Sequence, residues 1–61
     1  MTKFQLSQLL FANGNLQTTI QGYTGQVSSV QREDGSGHCF NVIMWDNATD
    51  RLITLFVRTI D

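Results

Sequence analysis

The sequence predicts a small α+β, mainly β domain: a short N-terminal helix followed by a four-stranded antiparallel meander. Three observations carry this expectation. Short polar turns divide residues 15–61 into β-type segments, Thr2 and Gln5 stand at capping-box spacing ahead of three leucines, and the 61-residue chain contains no proline. Without proline, every strand keeps its full set of backbone donors.

The opening segment is the ambiguous one. Thr2-Lys3-Phe4-Gln5 has the form of a box in which Thr2 caps the backbone and Gln5 reaches back to it. Leu6, Leu9, Leu10 and Asn13 follow at helical spacing, and Gly14 suits the left-handed position after a helix. A strand from Phe4 turning at Asn13-Gly14 is the rival reading. Helical spacing accounts for Leu9 and Leu10 together, whereas alternation does not. Residues 1–14 are therefore read as a helix or arm, and 15–61 as sheet within one domain.

Next comes Leu16 to Tyr23, rich in β-branched residues and ending at Gly22-Tyr23-Thr24-Gly25. A two-residue turn at Tyr23-Thr24 would pair Ile20 with Val27. Asp34-Gly35-Ser36-Gly37 would pair Glu33 with His38 and Val27 with Met44. A four-residue loop at 47–50 would pair Asp46 with Arg51 and Met44 with Ile53. This register collects Leu16, Thr18, Ile20, Val27, Ser29, Phe40, Val42, Met44, Ile53, Leu55 and Val57 on one face. A one-residue slip would scatter them. That face is the expected core, covered by the helix or by the curl of the sheet. Short meandering strands and tight turns resemble SH3-like barrels in architecture alone, which implies a possible closed small barrel but no function.

The opposite face alternates properly only in its first half. Gln17, Thr19, Gln21, Gln26, Ser28, Val30 and Arg32 form a nearly polar surface, but Cys39, Asn41, Ile43 and Trp45 then oppose Leu52, Thr54, Phe56 and Arg58. One reading buries this end under the helix or the curl. The other makes it an interface, because large apolar residues beside Asn and Arg have the composition of a contact patch with a polar rim. Ile43, Trp45, Leu52, Phe56 and Arg58 are the candidate partner-binding residues. A second copy of the chain is the simplest partner, forming a dimer about a two-fold. Association would also support a core that, at this length, supplies only about 3–5 kcal/mol.

Other chemistry finds little footing. One cysteine, Cys39, excludes an internal disulfide, and with His38 it cannot supply four zinc ligands. Neighbouring strand residues point to opposite faces, so His38 and Cys39 make a poor nucleophile–base pair. Asp34-Gly35-Ser36-Gly37 joins two strands and carries acids beside it, unlike a phosphate-cradling loop. Asp46, Asn47 and Asp50 match no calcium-loop spacing and suit turn chemistry. No cofactor, metal or catalytic residue is assigned, and the chain reads as non-enzymatic.

A net charge of −1 with only 4 Lys and Arg argues against a large phosphate-binding surface. The alternative function is nevertheless a small β-barrel nucleic-acid binder, with Trp45 and Phe56 stacking on bases and Arg58 (with Arg32 toward the same end) holding the backbone. The N-terminal stretch lacks a signal-peptide pattern and no segment approaches the roughly 20 apolar residues of a membrane helix. A cytoplasmic protein without membrane attachment is the expectation.

Overall fold

A computed structural model describes residues 1–11, 17–33, 35 and 37–61. Helix α1 spans Lys3–Phe11, and four strands follow: β1 (Gln17–Ile20), β2 (Tyr23–Arg32), β3 (Cys39–Asp46) and β4 (Arg51–Arg58). The strands form one antiparallel sheet in the order β1-β2-β3-β4.

The helix starts where the capping box places it. Gln5 N donates to Thr2 Oγ1 at 3.1 Å, and Thr2 N donates to Gln5 Oε1 at 2.8 Å. Two amides that α-helix geometry leaves without partners are thereby satisfied. The first turn contains no acid of its own. Asp61 supplies one from the far end of the chain, its Oδ1 accepting from Lys3 N at 2.9 Å, where a negative charge complements the helix dipole. Asn13 and Gly14, read as the helix end, lie outside the described residues, as do Leu16, Asp34 and Ser36.

Leu6 and Leu9 bury against Ile20, Val27, Val42, Met44, Leu55 and Val57, with Phe40, Ile53 and Val30 packed around them. The helix therefore covers the face expected to be core. Val42 and Met44 are fully enclosed at its centre. The β3–β4 register matches expectation throughout, including Asp46↔Arg51, Met44↔Ile53 and Val42↔Leu55.

Two details of the register depart from the sequence reading. The first hairpin turns at Gln21-Gly22, so Ile20 pairs with Tyr23 rather than with Val27. Both turn residues have positive φ, 53° and 87°, as a turn matched to strand twist requires. Glycine adopts that conformation freely; the aromatic and β-branched pair Tyr23-Thr24 does not. The partner of Ile20 moves by an even number of residues, which is why Ile20 stays on the core face.

The second departure changes faces. A bulge lies between Val27 and Ser29, after which Ser29 pairs with Ile43, Val30 with Val42 and Arg32 with Phe40. One extra residue in β2 inverts its alternation. Val30 takes the core position expected for Ser29, and Arg32 joins the helix-covered side. The same shift brings Glu33 N to Cys39 O at 2.9 Å, replacing the expected Glu33–His38 pair.

The sheet is open, not closed into a barrel. At Gly25 the β2 backbone presses on β3: a Cβ there would lie 1.5 Å from the Trp45 carbonyl oxygen. The β1–β2 turn reaches the opposite edge, where Gln21 Nε2 donates to Phe56 O at 2.7 Å. A side chain spans the gap in place of a strand ladder. Beside it runs an open cleft of about 600 Å³, lined by Tyr23, Asp46, Thr49 and residues 51–55.

Candidate functional site: the open face of the last two strands

With the helix on the core side, the opposite face of β3 and β4 lies uncovered among the described residues. Four rows cross it. Trp45 stands opposite Leu52, Ile43 opposite Thr54, Asn41 opposite Phe56 and Cys39 opposite Arg58. Leu52 and Phe56 are 57% and 53% exposed, and Trp45 is 39% exposed. Ile43 is half-buried, and Arg58 is exposed. The first half of the face is polar, as read from the sequence: Gln17 pairs with Gln26, and Thr19 and Thr24 share a hydrogen bond at 2.8 Å between their hydroxyls.

The face is continuous but uneven. Leu52 and Phe56 flank Thr54 on β4, and Trp45 adjoins Leu52, so these apolar side chains form a diagonal band toward the outer edge. Asn41 donates to Glu33 Oε2, which anchors the polar rim on the inner side. Trp45 and Phe56 are two rows apart, about 13 Å along the strands. Arg58 lies one row further on. Arg32 does not accompany it, because the bulge in β2 sends Arg32 to the other face.

The remaining candidates have local structural employment. The Asp46 carboxylate is buried and holds the β3–β4 turn, accepting from Ala48 N at 3.2 Å and Thr49 Oγ1 at 2.7 Å. Asn47 Nδ2 donates to Gln17 Oε1 at 2.8 Å and ties that turn to β1. His38 Nδ1 donates to the Asp61 carbonyl at 2.8 Å, and Cys39 is buried. Among the described residues, no three His, Cys, Asp or Glu side chains converge as metal ligands, and no helix is long and apolar enough to cross a membrane.

Three further apolar side chains are exposed that the sequence reading did not single out. Ile60, beyond β4, is 81% exposed, and Phe4 and Phe11 lie on the outer side of the helix. The helical residues carried a usable signal: Phe4 and Phe11 are seven apart, two turns along one side, once the capping box sets the helix phase. Ile60 carried none, since its exposure depends on where the strand ends.

No protein-family model, curated protein or solved structure matches this chain.

Proposed function

We propose that this protein is a non-enzymatic binding module that works through the β3–β4 face, and that its simplest partner is a second copy of itself. The observation that carries this reading is the exposure of Leu52, Phe56 and Trp45 on one uncovered sheet face. Clustered large apolar residues with a polar rim characterise contact surfaces, and an exposed apolar area of a few hundred Å² generally marks one. Ile43 and Arg58 complete the patch. The small core gives such a contact a second role, because association stabilises the folded form by mass action.

Light scattering over a concentration series tests this on wild type and Trp45→Ala. The expected result is a wild-type dimer and a Trp45→Ala association weaker by about 2 kcal/mol, the cost of truncating a central anchor. A monomer whose Trp45 is fully accessible to a fluorescence quencher would overturn self-association. Titration with single-stranded nucleic acid at two salt concentrations would then address the other use of Trp45 and Phe56. That alternative has lost Arg32 from its surface.

A further inference from the structure

We propose that two copies join edge to edge through β4, in the register that sets Thr54 opposite Thr54 of the partner subunit. This deepens the self-association reading and rests on it, but it names a different contact: the backbone edge, with the apolar face following.

The hydrogen bonds show which groups face outward. Thr59 N is directed inward to His38 O, whereas Ile60 N is directed outward to Met1 O and Phe56 O outward to Gln21. Backbone groups alternate between edges along a strand. Leu52, Thr54, Phe56 and Arg58 therefore present their N–H and C=O groups on the outer edge of β4. Among the described residues only the Gln21 side chain hydrogen-bonds that edge between Leu52 and Arg58, and Tyr23 lines the cleft beside it. The cleft beside residues 51–55 provides space there. An unpaired, eight-residue edge without proline or bulge is a template for another strand.

The side chains select the register. An antiparallel two-fold pairing that keeps outward groups opposite outward groups can centre on several positions. Centring on Thr54 places Thr54 opposite the partner's Thr54 and Leu52 opposite the partner's Phe56, and the ladder stops short of the turn residue Asp50, whose N is held by Asp46 O. Moving the centre one residue either way puts Leu52 against the partner's Arg58 or against the partner's Thr54. Centring on Phe56 sets Thr54 against the partner's Arg58 and requires Ile60 N, which Met1 already holds. Only the Thr54 register joins apolar to apolar and Thr to Thr, combinations that stabilise cross-strand pairs. The row Trp45–Leu52 then continues into the partner's Phe56, so the two apolar bands merge. Phe56 O has a second lone pair for the new ladder, or it exchanges Gln21 for the strand.

The test is the dimer dissociation constant by sedimentation or light scattering. Thr54→Pro removes an outward N–H and leaves the β3–β4 ladder intact, so the circular dichroism spectrum should persist while Kd rises about 30-fold or more, the equivalent of two lost hydrogen bonds. Phe56→Lys should weaken the dimer several-fold, and adding Leu52→Glu, opposite it in the partner, should recover part of the loss. That rescue decides the register even if Thr54→Pro fails to fold. A dimer that survives Thr54→Pro but not Trp45→Ala would overturn the edge proposal and leave face-to-face association standing. A charge pair without rescue would overturn the register, and a wild-type monomer at every concentration would overturn the proposal outright.

Discussion

Gln21, in the first turn, donates its side-chain amide to the backbone oxygen of Phe56 in the last strand, 35 residues away, at 2.7 Å. This bond links the β1–β2 turn to the far edge of the sheet. Two opposing terms act at Gln21: a left-handed φ of 53°, unfavourable for a side chain, and the bond that side chain makes. Gln21→Ala keeps the strain and loses the bond, so stability should fall by about 1 kcal/mol. Gln21→Gly loses the bond but relieves about as much strain, and should be nearly neutral. Urea titration of both variants measures the difference. Equal losses in the two would show that the turn is unstrained.

Gly25 is the position where β2 lies tightly against the β3 backbone. Because a Cβ there would meet the Trp45 carbonyl at 1.5 Å, and that atom is backbone, the neighbour cannot rotate away. Gly25→Ala should destabilise by about 3 kcal/mol or more, against the usual gain from replacing glycine in a strand. Thermal melts of Gly25→Ala and, as control, Gly35→Ala separate the two effects. No atom lies within 4 Å of a Cβ at Gly35.

The bulge makes a prediction opposite to that of an uninterrupted ladder. Val30, paired with Val42, packs on the core, while Ser29 faces the other side beside Ile43. Val30→Ala should cost about 1–2 kcal/mol and Ser29→Ala a few tenths. Denaturant midpoints that ranked the two in reverse would place Ser29 inside and remove the bulge.

At the helix start, Thr2→Ala deletes the Oγ1 that receives Gln5 N, and about 1 kcal/mol should go with it. Asp61→Asn should lose a few tenths, because the amide oxygen still accepts from Lys3 N but the charge near the helix dipole is gone. Helical circular dichroism together with unfolding midpoints reads both.

Much of this fold was legible in the residues themselves because its determinants are local. The Thr2–Gln5 box started the helix at the expected residue, and the four-residue turn at 47–50 set the β3–β4 register through its length. Strand alternation then assigned Ile20, Val27, Val42, Met44, Leu55 and Val57 to the core without any knowledge of the helix position. The candidate face was legible for the same reason: Trp45, Leu52 and Phe56 broke an alternation that the first two strands obeyed.

Tertiary structure decided what alternation cannot express. Where a bulge falls depends on how two strands coil together, so Val30 and Arg32 changed sides although their sequence context is regular. The first turn moved to Gln21-Gly22 because positive φ, not the spacing of apolar residues, selects a two-residue turn. That the sheet stays open, with the Gln21 side chain bonded to Phe56 O across its edges, is a product of long-range packing. Above all, whether the Trp45–Leu52–Phe56 face was core or surface depended on which side the helix chose. A strand's two faces are equivalent until another element covers one of them, and here Leu6 and Leu9 made that choice.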